Sequence, residues 1–408
     1  MKKILTLVLV VGVTAFLFAP VASAQPSELT IWVSAGPEED WMVDRAEAYE
    51  AETGIAINVE TVEEPEQANR LSLDGPAGEG ADIVGFPHDS IGQAAEQGLI
   101  DPIEDYLDLG YAQDNYADVA MAALNYQGTD YGLPYSYESI ALLYNQDIIE
   151  EPPATFDELF DVAQDLTNRD TDEFGFLFDV GTYYQLHGFI SGFGGYVFGL
   201  NDDGSYNTQD IGLANEGAIE GAKFINRFRQ EGLIPQGTDG DIVEGLFSSG
   251  DAAMILDGPW AVRNYTDAGI DVGVAPLPEL PNGEYPTTFV GVKGFYVSAF
   301  SDYGDESAEF IKWVTNAENS MDRFEELEQI APHREVMESD ALESNERIAG
   351  FVEQAGRGEP MPNIAEMDLV WDPAANGVEF VLTGRATAEQ AMPMIVEQIE
   401  QGVRRMNR

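Results

Sequence analysis

The chain has 408 residues, no cysteine, and 74 acidic against 19 basic side chains, a formal net charge of 19 − 74 = −55. The absent thiols exclude disulfides, thiolate metal sites, a cysteine nucleophile and a lipid-bearing cysteine. The acids are dispersed and leave no basic face for nucleic acid; with only five lysines they read as a solvated coat adapted to high salt, where screening removes self-repulsion, rather than as a site for cations.

The first 25 residues, MKKILTLVLVVGVTAFLFAPVASAQ, carry a basic start (Lys2, Lys3), an apolar run over 4–18 and the A-x-A site Ala22-Ser23-Ala24. That three-part pattern predicts a secretory signal peptide over 1–24. The mature chain then starts near Gln25, as a soluble protein outside the cytoplasm. No later stretch approaches the roughly 18 apolar residues of a membrane span. Strand and helix alternate next: strand 28–33, helix 39–53 stopped by Gly54, strand 55–60, helix 64–74, strand 81–86 and a helix over 90–97. Alternation at this spacing predicts parallel, covered strands in a three-layer α/β unit. The middle reads similarly. Residues 137–145 (YESIALLYN) form a long β-prone run, and Thr155 with Glu158 forms a capping box opening a helix to about 166. A strand is expected over 174–180, an amphipathic helix over 214–230 and a buried strand over 252–256. Sequence from 273 to 298 turns β-rich again, and helices follow near 307–316, 345–355 and 388–403. This return suggests a chain that re-enters an earlier lobe, two lobes in all.

No G-x-S-x-G elbow, H-E-x-x-H pair, phosphate loop, dinucleotide fingerprint or calcium loop occurs, and His88, His187 and His333 are scattered. With 74 acids, close carboxylate pairs arise by chance and say nothing for glycoside hydrolysis. No catalytic set, metal site or cofactor is expected. Aromatic residues instead recur after predicted strands: Phe86 before Asp89 and Ser90, Tyr135 and Tyr137 beside Glu138, Tyr183 and Tyr184, Trp260, and Trp371 opening a late helix. Ligands of open α/β sheets sit outside the carboxyl ends of strands. Rings accept the C–H faces of a sugar, and carboxylates accept its hydroxyls. A quaternary ammonium would also suit an aromatic cage. In the stretch FSSGDAAMILDGPW (247–260), Phe247 should anchor a helix in the core and Gly250 should end that helix in a left-handed conformation. Gly258 should permit a turn, Pro259 should start the next helix, and Trp260 should face the cleft.

The spacing Phe247-x-x-Gly250-x-x-Ala253-Met254-x-x-x-Gly258-x-Trp260 is similar to the signature of ABC-transporter extracellular solute-binding proteins of the sugar-binding group. IWVSAGPEE (31–39), ADIVGFPHDSIG (81–92), GLPYSYESIALLYN (132–145), EPPATFDEL (151–159), GGYVF (194–198), FVGVKGFYVSA (289–299) and RGEPMPNIAEMDLVW (357–371) resemble the maltose/maltodextrin-binding branch, in order along the mature chain. The resemblance implies an α/β periplasmic-binding-protein fold, with two three-layer lobes joined by a multi-segment hinge. The lobes would comprise 25–136 plus 294–340 and 137–293 plus 341–408, with crossings near 135–139, 290–293 and 340–345. It implies closure on a sugar, delivery to a membrane permease, a monomer and a periplasmic location. By match, Phe86, Tyr184, Trp260 and Trp371 stack on sugar and Asp89 and Glu138 bind hydroxyls, with Ser90, Tyr137 and Tyr183 completing the set. Ser90 and Ala375 stand where the pattern has arginines, Thr182 where it has a glutamate, and Ala35-Gly36-Pro37 where it has an Asp-Lys pair. The aromatic platform persists while the polar grip thins, which points to longer or cyclic α-glucans rather than maltose.

Overall fold

The structure, a computed structural model, describes residues 26–406; the expected signal peptide lies outside the described residues. Strand Glu28–Val33 pairs in parallel with Ala56–Thr61 on one side and Ile83–Pro87 on the other. The helix Pro37–Thr53 between the first two ends at Gly54, whose φ of 79° is the left-handed stop its sequence predicts. Along these strands side chains alternate between two cores. Leu29, Ile31 and Val33 pack with Trp41 and Met42 on one face, and Trp32, Val84 and Phe86 pack with Leu71 and Ile91 on the other. Helices cover both faces, so this is the expected three-layer unit.

The sheet is completed from far along the chain. Strand Phe289–Val297, buried at all nine positions, runs antiparallel to Ile83–Pro87, and its other edge takes Gly132–Ser139. Glu359–Pro360 adds a short parallel pairing at its start. The pairing with Gly132–Ser139 shifts register between Lys293 and Gly294.

The second lobe is built on a different sheet. Ala141–Asn145 is its centre, flanked by Met254–Asp257 and Val272–Ala275, both antiparallel to it. The middle of the chain therefore does not repeat the parallel plan. The single run expected over 137–145 is two strands in two sheets, parted at the buried Ile140. The strand expected over 174–180 is reduced to isolated bridges, Phe174 with Ala252 and Leu177 with Ile255. Its apolar side chains are core all the same: Phe176 and Phe178 pack against Phe228, which stacks on Phe160 with ring centroids 4.2 Å apart. Each such ring removed from water stabilises the lobe by roughly 1.5–3 kcal/mol. Thr155 caps the helix Phe156–Leu166 as expected, accepting from the Glu158 N–H; the Glu158 carboxylate reaches one residue further than a standard box, to the Ala154 N–H.

Candidate functional site

The segment leading to Trp260 shows how the sequence delivers a ring to the place where the lobes meet. Helix Gly240–Ser248 buries Phe247 edge-on against Tyr265, with centroids 4.8 Å apart. Gly250, at φ 82°, turns the chain out of the helix. Strand Met254–Asp257 follows, and Pro259 starts helix Pro259–Asp267. Gly258 differs from expectation. Its φ of −109° suits any residue, so turn geometry does not require glycine there. A side-chain carbon at Gly258 would instead lie 2.1 Å from the Trp260 ring, so the indole lies directly over the bare backbone.

Around Phe289, fully buried at the head of the shared strand, the predicted aromatics converge. Tyr184 lies parallel to it at 6.1 Å, Trp371 edge-on at 5.7 Å and Tyr183 edge-on at 6.3 Å. Trp260 lies 6.2 Å from Tyr184, and the Lys293 ammonium lies 5.6 Å from the Trp260 ring. Trp371 Nε1 donates to Asp89 Oδ2 at 3.1 Å, joining helix Trp371–Leu382 to the turn His88–Ser90 of the first sheet. Half-buried Ser90 lies in that turn, and Tyr137 packs against cores of both lobes. Tyr184, Trp260 and Trp371 are half-buried, whereas Tyr183 is a support whose hydroxyl meets His187 Nδ1 at 3.0 Å. Phe86 stands apart from this group: it is 1% exposed and stacks on Tyr296 at 4.1 Å inside the first lobe's core. The Tyr184 hydroxyl is buried and finds no hydrogen-bond partner among the described residues.

Beneath the rings lies a buried ion network. Lys293 Nζ donates to Glu64 Oε2 at 2.7 Å and to Glu138 Oε2 at 3.2 Å, with all three side chains 7–8% exposed. Tyr135 donates to the other Glu64 oxygen, and Arg323 and Gln329 both donate to Glu38 Oε1. Burial and then the Glu38 charge push Glu64 up to about 8, so it holds a proton at neutral pH. Burial would raise Glu38 too, but Lys293 and Arg323 outweigh it and hold Glu38 at about 2. Burial raises Glu138 against the opposing pull of Lys293. Asp89 is pushed up to about 7, mainly by burial, with Asp368 and Glu138 adding repulsion. Asp89, poised near neutrality and bonded to the Trp371 indole, thus stands at the edge of the ring of aromatic side chains.

Sequence reasoning missed Phe289, Lys293, Glu64 and His88. A lysine inside FVGVKGFYV was a legible signal, because a buried ammonium requires carboxylate partners. Glu64 carries no such mark. His88 acts as a splice: its Nδ1 accepts from the Val292 N–H at 3.1 Å, so the proton sits on Nε2, which donates to the Met361 carbonyl at 3.0 Å. Burial holds this imidazole neutral, at about 4.

The sequence profile described as bacterial extracellular solute-binding protein matches residues 44–350. The galactooligosaccharide-binding protein of Bacillus subtilis (strain 168) is 36% identical over 384 residues, covering 92% of this chain and 89% of that protein. Among solved structures, a cyclo/maltodextrin-binding protein complexed with maltotetraose is 38% identical with a TM-score of 0.77, covering 94% of this chain and 98% of that one. A Thermus thermophilus maltotriose-binding protein bound with maltotriose is 31% identical with a TM-score of 0.87, covering 92% and 100%. The chain belongs to the bacterial extracellular solute-binding protein family and has the two-lobed α/β fold of those structures.

Proposed function

We propose that this member of the extracellular solute-binding family captures maltodextrin-type α-glucans, linear or cyclic, and hands them to a membrane ABC permease as a monomer. The chain would be exported to the periplasm through its N-terminal signal. The lobes are taken as 25–136 plus 294–340 and 137–293 plus 341–408, closing about the crossing strands. The observation that carries the reading is the buried, partnerless Tyr184 hydroxyl, set between the Trp260 and Phe289 rings with Glu138 and Asp89 close by. A buried polar group is ordinarily hydrogen-bonded, so this donor is aimed at a ligand that brings its own oxygen. A pyranose offers oxygens along its rim and apolar C–H faces for Trp260, Tyr184 and Trp371. Glu138, braced by Lys293, and Asp89, braced by Trp371, present acceptors to the hydroxyls. Ser90 and Tyr137 border the same space, Tyr183 supports Trp371, and Phe86 backs the wall from the core.

Binding by both lobes favours the closed state, which is how capture becomes a signal to a permease. Binding without catalysis accounts for the acids: Glu138 is tied to Lys293, and Asp89 already accepts from an indole. Calorimetry in molar salt with maltose, maltotriose, maltoheptaose, cyclodextrins and galactooligosaccharides tests the proposal. Longer or cyclic glucans should bind at least tenfold tighter than maltose, and Trp260→Ala should weaken them at least thirtyfold, about 2 kcal/mol, while the chain stays folded. Tighter binding of maltose than of every longer glucan, or of galactooligosaccharides alone, would overturn it.

A further inference from the structure

Helix Tyr183–Gly192 carries the Tyr184 ring, so the roll of that helix decides where the ring points. His187, Gly188 and Ser191 follow Tyr184 at three, four and seven residues and share its face. That face lies along residues 287–289, at the head of the shared strand. Ser191 Oγ donates to the Thr287 carbonyl at 2.7 Å. Gly188 passes so near Thr288 that a side-chain carbon on it would stand 3.0 Å from the Thr288 methyl. His187 lies flat on Phe289, with ring centroids 3.6 Å apart and planes 4° apart. Side chains reach ~6 Å from a helix axis, so a roll of about 10° would carry Tyr184 by about 1 Å, twice the ~0.5 Å that a binding constellation tolerates.

His187 is completely buried, and both of its nitrogens are engaged. Nε2 lies 2.6 Å from Glu359 Oε1; a carboxylate only accepts, so Nε2 donates. Nδ1 meets the Tyr183 hydroxyl at 3.0 Å. Burial, and then the Glu359 charge, lift that phenol well above its usual range, so it stays a hydroxyl. Glu359 is itself held by the strand: it pairs in register with Phe289, and its N–H donates to the Thr288 carbonyl at 2.9 Å. The imidazole is thus fixed on its face by Phe289 and on its edge by Glu359, two side chains from paired strands. The Glu359 side chain is 41% exposed, and a surface carboxylate ordinarily contributes little. This one ends on a fully buried ring, whose N–H would otherwise lack an acceptor, so the ring or its helix would have to turn.

We propose that His187, oriented by Glu359, is a positioning residue for sugar capture: it sets the roll of helix Tyr183–Gly192 and so aims the Tyr184 ring and its partnerless hydroxyl at the ligand. The inference rests on the sugar reading above. Calorimetry with maltoheptaose in molar salt, on the full mature protein, tests it on wild type, Glu359→Leu, Glu359→Gln, Tyr184→Ala and Glu359→Leu combined with Tyr184→Ala. Glu359→Leu, which strands Nε2, should lose at least fivefold in affinity. Glu359→Gln, which keeps an oxygen at that place, should recover most of the loss. With Tyr184 already removed, Glu359→Leu should cost less than a further twofold, even where it lowers the melting temperature as much as before. Glu359→Leu binding within twofold of wild type, Glu359→Gln as weak as Glu359→Leu, or a fivefold loss that survives beside Tyr184→Ala would overturn the positioning role and leave the sugar reading standing. If Glu359→Leu does not fold, Glu359→Ala carries the same comparisons. Wild type that binds no maltoheptaose would take down both.

Discussion

Replacing Lys293 by methionine removes the one cation that touches both Glu64, at 2.7 Å, and Glu138, at 3.2 Å, and keeps most of the side chain's apolar stem. Breaking a buried pair by deleting one partner costs about 3–5 kcal/mol, because a charge is left in low dielectric without compensation. Glu64 already holds a proton at neutral pH, so the orphaned charge is that of Glu138, which has an escape: it can take up a proton. At pH 5 that escape is cheap: half a unit above the ordinary value of 4.5 corresponds to ~0.7 kcal/mol per group at 1.36 kcal/mol per unit. At pH 8 the same neutralisation costs ~5 kcal/mol, and the full penalty returns. The sign follows from proton binding. Without the opposing pull of Lys293, burial raises Glu138 further, so above its ordinary value of 4.5 the folded variant binds more protons than the wild type and loses stability relative to it as pH rises. Urea unfolding in 2 M sodium chloride should therefore show a loss of about 3–5 kcal/mol at pH 8 and about 1–2 kcal/mol at pH 5. Adding Glu138→Gln should recover part of the pH 8 loss, since the second change removes the stranded charge. A loss below about 1 kcal/mol at both pH values, or one that does not change between them, would refute the buried-pair reasoning.

Asp89 gives a second pH test, because burial lifts it to about 7: glucan affinity should rise several-fold from pH 6 to pH 8 as the carboxylate forms, and Asp89→Asn should flatten that profile. A profile equally steep in Asp89→Asn would assign the titration elsewhere. The stability contributed by the same group runs the opposite way, present below 3.8 and lost as pH rises through about 7. Gly258→Ala puts a carbon 2.1 Å from the Trp260 ring in a backbone that tolerates it; overpacking should cost about 1–3 kcal/mol and swing the indole, seen as weaker glucan binding and shifted tryptophan fluorescence. Unchanged affinity in that variant would mean the ring is not a platform. With a net charge of −55, melting temperature should climb by several degrees between 0.1 and 2 M sodium chloride, where the Debye length shrinks to about 3 Å; a flat salt profile would remove the electrostatic reading of the acidic coat.

The features legible in the sequence were local ones. The parallel strands near the N-terminus, the left-handed stops at Gly54 and Gly250, and the caps at Thr155 and Pro259 depend on a few neighbouring residues. What escaped depends on pairing across the chain. YESIALLYN carries β propensity throughout, yet nothing in it says that Glu138 and Ala141 belong to different sheets. FGFLFDV is apolar enough to be core and gains only isolated bridges, since hydrophobicity fixes burial better than hydrogen bonding. In the site, aromatics and acids were visible as types. That Phe289 would gather three of those rings, or that Glu64 would share a lysine with Glu138, depends on contacts between residues 64, 138 and 293 that no periodicity encodes.

The late arrival of Phe289–Val297 in the first sheet sets the timetable of biogenesis. This strand sits between Ile83–Pro87 and Gly132–Ser139, so the facing edges of both wait open while some 150 residues beyond Ser139 are made. The loop that must close is long, and long-range pairing forms slowly. A chain threaded N-terminus first through a translocase cannot complete this lobe until residue 297 has emerged. On the export route proposed above, it would travel without a finished sheet, its strand edges still open.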